Sequence, residues 1–216
     1  MKRVPEPDVM DDEAQINAWV NADREFGIRF FFNKFKEKFP EFQKGTLADL
    51  GCGIADYSSR VKEQFPEVDI TGYDASALML RYAASTAAKL GIRLENLKIP
   101  ATINDRYDLA MSIHLLHHLE DPHDLWQTIK TITPNGKIFV MDLVRPVDSY
   151  TVDYIIDKYA ANEPKLYRED FERSLYAAYT VDEVRCQLAE CGLDLEIDVH
   201  EDDRQALASM IIYRNS

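Results

Sequence analysis

Between residues 46 and 144, short apolar stretches with the composition of buried strands alternate with longer stretches that have helical spacing. Strands are predicted at 47–50, 68–74, 93–103, 107–113 and 137–144. Helices are predicted between them, at 55–65, 76–90 and from Asp121-Pro122 onward, where an aspartate cap precedes a proline. Four to five such alternations are typical of an α/β protein with a parallel sheet covered on both faces.

The segments on either side of this alternation are predominantly helical. Within residues 1–44 we predict one helix over 11–24 and a second whose apolar face is formed by Ile28, Phe31, Phe32, Phe35 and Phe39. We predict two more helices within residues 149–178. Another begins with a capping box at Thr180 and Glu183 and ends at Gly192. A final strand pair is predicted over 194–200 and 206–214.

Composition limits the partners of this chain. Its 216 residues suit one domain, and 25 Lys and Arg against 38 Asp and Glu give a formal net charge of −13. This sign disfavours nucleic acid and anionic membrane surfaces as partners and leaves neutral or cationic small molecules. The three cysteines, the absence of a signal-type N-terminal segment and the lack of a membrane-length apolar run lead us to expect a cytoplasmic protein.

The stretch ADLGCGIADYS, residues 48–58, places two glycines directly after the first predicted strand. In an open α/β sheet, this is where a ligand approaches the backbone. A dinucleotide fingerprint, G-x-G-x-x-G, would put its third glycine at position 56, which is Asp56. A carboxylate there would repel a pyrophosphate at the helix N-terminus, and Asp49 adds a second negative charge.

A cationic ligand removes this conflict. S-adenosylmethionine carries a sulfonium, an ammonium and one carboxylate, so its net charge is positive. Asp74, which closes the second strand 19 residues beyond Ala55, can accept the ribose hydroxyls of an adenosine ligand. An NAD-dependent oxidoreductase and a close-packed structural turn are the alternative interpretations of the loop.

Five segments together resemble the class I S-adenosylmethionine-dependent methyltransferases, from about Thr46 to the C-terminus. The segments are ADLGCGIAD, DITGYDAS, YDLAMSIHLLHHLEDP, PNGKIFVMDL and TVDEVRCQLAECGL. The family's loop is acidic-x-G-x-G-x-G; Asp49, Gly51 and Gly53 match it, and Ala55 replaces the third glycine. We expect ordinary helical dihedrals at Ala55.

The resemblance implies a Rossmann-like, seven-stranded, mostly parallel sheet with an antiparallel last strand and helices on both faces. It also implies a single domain over 1–216, with 1–44 as an N-terminal helical cover and 149–178 as a helical substrate cap inserted after the fifth strand. S-adenosylmethionine would be the cofactor and S-adenosylhomocysteine its product. The cofactor-binding residues implied are Asp49, Gly51, Cys52, Gly53, Asp74, Ala75, Met79, Thr102, Ser112 and Ile113.

Three histidines, His114, His117 and His118, follow the fourth strand where the methyl group is expected. His114 is the candidate general base or substrate contact, since the strand end directs it toward the cleft. A hydrogen-bonded structural histidine is the alternative for each of the three. We expect no metal site, because no cysteine or carboxylate cluster is evident beside the histidines.

The acceptor is expected to be a small molecule. The segment after the fourth strand reads SIHL instead of the Asn/Asp-Pro-Pro-aromatic motif of base-amine methylases, and no cysteine is placed as a pyrimidine nucleophile. His117, Arg145, Tyr150 and Tyr154 are the candidate substrate-binding residues, with packing and surface ion pairs as their alternatives. We expect a monomer or homodimer; a catalytically silent methyltransferase-like binding or scaffold protein is a further alternative.

Overall fold

The computed structural model describes residues 1–6, 9–201 and 207–215. Within these residues the strands are β1 (Lys44–Leu50), β2 (Glu67–Asp74), β3 (Arg93–Asn96), β4 (Leu109–Ile113), β5 (Lys137–Leu143), β6 (Glu196–Glu201) and β7 (Ala208–Arg214). The helices are α1 (Glu13–Asn21), α2 (Glu25–Lys38), α3 (Asp56–Gln64), α4 (Ala77–Leu90), α5 (His123–Ile132), α6 (Ser149–Tyr159), α7 (Lys165–Ala177) and α8 (Val181–Cys191).

All seven described strands form one sheet in the order β3-β2-β1-β4-β5-β7-β6. The pairs from β3 to β5 are parallel, whereas β7 runs antiparallel to both β5 and β6. The predicted Rossmann-like sheet with its antiparallel last strand is therefore confirmed. Strand order reverses between β1 and β4, so ligands are expected at the carboxyl ends of these two strands.

Each face of the sheet is covered by an apolar layer of helices. On one face, the predicted phenylalanine stripe of α2 is buried, and the rings of Phe31, Phe35 and Phe39 lie 5.6–5.9 Å from that of Phe139 in β5. On the other face, α5 and α8 bury Trp126 and Leu188 in a second cluster. Burial of these aromatic and aliphatic side chains supplies the main driving force for docking the helices.

Most predicted element positions are confirmed, and the differences have local causes. The strand predicted over 93–103 ends at Asn96, and Pro100, which cannot donate to a sheet ladder, lies in the loop beyond it. The capping box of α8 forms as predicted: Thr180 N–H donates to Glu183 Oε2 at 2.8 Å, and Glu183 N–H to Thr180 Oγ1 at 3.3 Å. The first residue of the strand predicted over 206–214 lies outside the described residues.

Residues 1–6 run across the molecule to the loop after β4. Arg3 fixes this segment by donating from Nε to the Ala177 carbonyl at 2.6 Å and from Nη2 to the His117 carbonyl at 2.9 Å. Its guanidinium also stacks on the Tyr179 ring, 4.1 Å from the ring centroid. The N-terminal segment is therefore attached both to the end of α7 and to the predicted histidine cluster. Among the described residues, no helix is long and apolar enough to cross a membrane.

Candidate active site

A cavity of about 410 Å³ opens at the carboxyl ends of β1, β2, β4 and β5, where strand order reverses. The structure brings together around it most of the residues predicted for the site, namely Gly51, Cys52, Gly53, Asp74, Ala75, Met79, Ile113, His114 and His117. A second wall comes from residues 9–30 and from α7. The predicted residues Asp49, Thr102, Ser112, Arg145, Tyr150 and Tyr154 do not line it.

The glycine loop holds its shape through positive φ angles and two bonds to β2. Gly51 has φ 75° and Gly53 φ 53°, a left-handed conformation that glycine adopts without strain. The N–H groups of Gly51 and Cys52 both donate to the Tyr73 carbonyl, at 2.8 and 3.0 Å. A β-carbon added to Gly53 would meet no atom within 4 Å, so this side of the backbone faces open space beside the cavity.

Asp74 joins the loop to the end of β2. Its Oδ2 accepts the Gly53 N–H and its Oδ1 accepts the Ser76 N–H, both at 2.8 Å. Burial raises the pKa of Asp74, while the two backbone donors oppose this shift. Each carboxylate oxygen keeps a further lone pair, so the group can still accept hydroxyl donors of a ligand in the cavity.

The backbone conformation of Ala55 differs from the one predicted. Its φ of 62° and ψ of 29° lie in the left-handed region, not in the helical region expected from the sequence. The loop closes by an Ala55 N–H bond to the Cys52 carbonyl at 2.8 Å, and α3 begins at the next residue. The position of the third family glycine therefore keeps the glycine conformation, at a cost of roughly 1–2 kcal/mol for alanine.

Asp56 does not present an isolated negative charge to the cavity. Its Oδ2 forms an ion pair with Nη1 of Arg24, whose guanidinium also stacks on the Trp19 ring at 4.2 Å from the centroid. Burial raises the pKa of Asp56, and Arg24 opposes the shift. Asp56 therefore repels a pyrophosphate less than the sequence suggested, because Arg24, 32 positions earlier, offsets this carboxylate.

Asp49 lies behind the loop, not on the cavity wall. Its side chain is buried, and Oδ2 accepts the Ser58 hydroxyl at 2.6 Å. Burial raises the pKa of Asp49 to about 7; the Ser58 hydrogen bond opposes the shift and the neighbouring Asp74 adds to it. Its role in this structure is to tie β1 to α3 beneath the loop.

His114 sits at the end of β4 with its side chain on the cavity wall. It has φ 56°, a left-handed conformation uncommon for a residue with a side chain, and its N–H donates to the Met141 carbonyl at 2.9 Å. Burial lowers the pKa of His114 to about 4, which makes the imidazole neutral around pH 7. The turn that this residue makes is what directs its ring toward the cavity.

His117 is held by a buried carboxylate that we did not single out from the sequence. Asp142, at the end of β5, lies with Oδ1 2.5 Å from His117 Nδ1 and accepts the His117 N–H at Oδ2, 3.3 Å away. Burial alone would lower the pKa of His117, but Asp142 and Glu6 raise it above its usual value. In the sequence, the one signal for Asp142 was its place at the end of an apolar run that forms the strand next to that of the histidines. No pattern in the sequence indicated a role for Glu6.

The remaining predicted substrate residues lie elsewhere. Arg145 is buried, with Nη2 2.7 Å from Glu183 Oε1. Its guanidinium therefore binds the first turn of α8 and does not face the cavity. Tyr150 and Tyr154 are exposed on the outer face of α6. The predicted cap over residues 149–178 does reach the cavity, but through Tyr159 and Tyr167.

Two predicted cofactor residues are also away from the wall. Thr102 is exposed, in the loop that follows β3. Ser112 is buried, and its hydroxyl donates to the Leu50 carbonyl at 2.9 Å, which links β4 to β1.

Comparison with known proteins agrees with this geometry. A methyltransferase domain family matches residues 48–138, the part of the chain from β1 to β5. The ubiquinone biosynthesis O-methyltransferase of Aeromonas salmonicida is 25% identical over 158 residues, which are 68% of this chain and 66% of that protein. The trans-aconitate 2-methyltransferase of Deinococcus radiodurans is 29% identical over 102 residues, 47% of this chain and 39% of that protein. The chain thus matches less than two thirds of the length of these relatives.

Solved structures resemble the whole fold at low sequence identity. The plantazolicin methyltransferase BpumL, in complex with a pentazolic desmethylPZN analog and SAH, gives a TM-score of 0.73 at 16% identity, covering 94% of this chain and 91% of that one. A SAM-dependent methyltransferase from Aquifex aeolicus gives 0.65 at 17% identity, covering 94% and 98%.

The sheet order, the glycine loop closed by Asp74 and the cavity at the switch point define a class I methyltransferase fold. The domain match over residues 48–138 and the relatives above identify this part of the chain as a class I S-adenosylmethionine-dependent methyltransferase domain. The methyl donor of this family is S-adenosylmethionine, and the residues present fit it: Gly53 leaves space at the cavity edge, and Asp74 offers a carboxylate to an adenosine ribose.

Proposed function

We propose that the protein transfers the methyl group of S-adenosylmethionine to a small-molecule acceptor. The observation that carries this proposal is that one cavity is lined both by the glycine loop and Asp74 and by His114, Tyr167 and Phe171. Donor and acceptor can thus be held against each other inside one cavity, which is how positioning lowers the barrier of an in-line displacement.

On the donor side, the proposal assigns roles to the residues predicted for the cofactor that line the cavity. Gly51 and Gly53 let the backbone approach the methionyl part, and Asp74 accepts the ribose hydroxyls. Ala75 and Met79 flank the adenine, and Ile113 lines the methionyl end. When bound, S-adenosylmethionine supplies an electrophilic methyl group on a sulfonium sulfur.

On the acceptor side, the proposal rests on aromatic rings and on several carboxylates among the lining residues. In this proposal residues 149–178 are the cap and residues 1–44 the cover of one domain spanning 1–216, since Tyr167, Phe171, Trp19 and Phe26 all face the cavity. The carboxylates on its wall include Asp23, Glu163 and Asp170. Aromatic and acidic walls suit a neutral or cationic acceptor and disfavour a phosphate backbone.

Calorimetry and product analysis test the proposal directly. The full chain should bind S-adenosylhomocysteine and S-adenosylmethionine in titrations where NAD gives no heat. Pools of small hydroxylated and amine compounds are then incubated with S-adenosylmethionine, and release of S-adenosylhomocysteine is measured together with methylated product. Tight NAD binding without S-adenosylhomocysteine binding would contradict the proposal. Cofactor binding without turnover across broad pools would instead support a silent binding or scaffold protein.

We expect His114→Asn to lower turnover about 10- to 100-fold, the range that follows from misplacing an acceptor by a fraction of an ångström to one ångström. Asparagine tolerates the left-handed backbone that His114 adopts, so the loop should remain folded while the imidazole is lost. Affinity for S-adenosylhomocysteine, measured by calorimetry, should be unchanged.

His123→Gln is the matched control, because His123 is a half-buried histidine at the start of α5 that does not line the cavity. It should alter neither turnover nor affinity. A His114→Asn variant with full turnover, or with lost cofactor affinity and normal turnover at saturation, would make His114 a structural residue.

A further inference from the structure

Three metal-ligating side chains converge at the inner end of the N-terminal segment. Oε1 of Glu6 lies 3.4 Å from Nε2 of His117 and 3.3 Å from Nδ1 of His118. The three ligand atoms are all within 4.8 Å of one another. Glu6 and His117 are almost completely buried, and the two histidines line the cavity described above.

The hydrogen bond between His117 Nδ1 and Asp142 determines the protonation of Nε2, the His117 nitrogen that faces Glu6. Asp142 Oδ1 lies 2.5 Å from His117 Nδ1, so this nitrogen carries the proton and donates it to the carboxylate. In the neutral tautomer the lone pair of Nε2 then points toward Glu6 Oε1. Two acceptors this close repel each other unless a proton or a metal cation lies between them.

We propose that Glu6, His117 and His118 bind a divalent transition-metal ion of the zinc type, with Asp142 orienting His117 from behind. Two imidazoles and one carboxylate are the ligand set of open, catalytic zinc centres. Bonds of about 2.0–2.1 Å in tetrahedral geometry separate neighbouring ligand atoms by roughly 3.3 Å, as the two Glu6 distances do. A carboxylate behind a ligating histidine is the usual outer-shell partner of such sites.

The position of Glu6 is fixed by contacts independent of the histidines. Ser174 of α7 donates its hydroxyl to Glu6 Oε1 at 3.2 Å, and Arg3 holds the preceding backbone. From the sequence we expected no metal site, because no cysteine or carboxylate cluster was evident beside the histidines. In the fold, Glu6 arrives from 111 positions away and Asp142 from the next strand, so that expectation rested on an incomplete set of neighbours.

A different grouping, His114 with His117 and Asp142, also brings ligand atoms together. It is the weaker alternative because His117 Nδ1 and Asp142 Oδ1 are 2.5 Å apart, a hydrogen-bond distance too short for two ligands of one ion. The two groupings predict different variants to matter. His114→Asn should keep metal binding in the first grouping and lose it in the second.

The fourth position of this ion would be open toward the cavity that His117 and His118 line. An open position on such an ion takes an oxygen ligand, so the site would hold the acceptor through a hydroxyl, enol or carboxylate oxygen. This last step rests on the proposed methyl transfer. Binding of the metal does not, and it is tested without donor or acceptor.

The experiment uses untagged full-length protein stripped with a chelator and titrated with Co²⁺ as a spectroscopic probe of the zinc-type site. We expect one equivalent to give the intense visible absorption of tetrahedral Co²⁺, and Zn²⁺ to displace it and raise the melting temperature. Glu6→Gln and His118→Gln should each weaken Co²⁺ binding by at least about 100-fold, and Asp142→Asn by about 10- to 100-fold.

His123→Gln is the matched control for this titration. His123 lies 2.6 Å from Asp121 Oδ1 and 2.8 Å from Glu190 Oε2, the same carboxylate–imidazole–carboxylate arrangement on the exposed surface. This variant and His114→Asn should bind Co²⁺ like the parent protein. Melting curves without metal establish that the Glu6 and His118 variants are folded.

Two results would overturn the proposal. One is a spectrum identical to that of Co²⁺ in buffer with no change of melting temperature on adding Zn²⁺, which would make the cluster a proton-bridged ion network. The other is unchanged Co²⁺ affinity in both the Glu6 and the His118 variants. Calorimetry with S-adenosylhomocysteine in the presence of chelator separates the two proposals, since donor-site binding should persist without the metal.

Discussion

Asp49→Asn is expected to stabilise the cofactor-free protein by about 4 kcal/mol at pH 8 and to leave its stability nearly unchanged at pH 4. Asp49 is buried, with its pKa raised to about 7 in the folded chain, against 3.8 for an exposed aspartate. The folded state therefore retains a proton between these values that the unfolded chain has lost. This contribution to stability is complete below pH 3.8, declines as pH rises and is lost above about pH 7.

Asparagine mimics the protonated form of Asp49 at every pH. Its amide oxygen can still accept the Ser58 hydroxyl, so the packing between β1 and α3 should survive. Urea denaturation of parent and variant at pH 5, 6, 7 and 8 gives the difference in free energy of unfolding, in which the other titrating groups cancel. Asp69→Asn, on the exposed side of β2, is the matched control. It should change neither the free energy of unfolding nor its dependence on pH. A difference that stays constant over this range would show that Asp49 is ionised in the folded protein throughout.

The sheet and the part of the cavity wall formed by the glycine loop and Asp74 could be predicted from the sequence because their determinants are local. A buried strand followed by glycines and a helix requires a parallel α/β unit, and Asp74 ends its strand at a fixed distance beyond the loop. The phenylalanine stripe of α2 and the capping box of α8 were likewise visible as short-range spacing. Ala55 shows the limit even there: the residue type predicted helical dihedrals, but the closure of the loop demands φ above zero.

The rest of the cavity wall could not be predicted because its residues come from distant parts of the chain. The neighbours of His117 are Glu6 and Asp142. The fold brings these residues together from distant positions, so no local spacing in the sequence predicts their contact. Arg145 follows the fifth strand as a substrate contact should, yet it is buried against Glu183. Tyr150 and Tyr154 lie on the face of α6 that points outward, whereas Tyr159 of the same helix reaches the cavity.

The ion pair between Arg24 and Asp56 likewise could not be predicted from the sequence. A sequence shows a carboxylate at the head of α3 but not the guanidinium that α2 places against it. The preference for a cationic donor over a dinucleotide therefore depends chiefly on the methyltransferase domain that matches residues 48–138, because Asp74 suits the adenosine ribose of either ligand. Replacement of Asp74 tests whether this carboxylate holds the ribose.

Asp74→Asn should weaken binding of S-adenosylhomocysteine by about 1–3 kcal/mol, or roughly 5- to 150-fold, through loss of charge-assisted hydrogen bonds. The carboxylate now accepts the N–H groups of Gly53 and Ser76. An amide can accept at only one of the two positions and presents a donor to the other, so the loop geometry should also loosen.

Calorimetry with S-adenosylhomocysteine and with S-adenosylmethionine measures the effect, and both affinities should fall by the same factor because the two ligands share their ribose. Asp69→Asn, five residues earlier on the same strand, provides the control and should bind both ligands like the parent. Asp74→Glu, which restores the charge at a greater reach, should recover part of the affinity. Unchanged affinity in Asp74→Asn would remove Asp74 from the donor site, and a loss confined to S-adenosylmethionine would mean that it contacts the sulfonium end instead of the ribose.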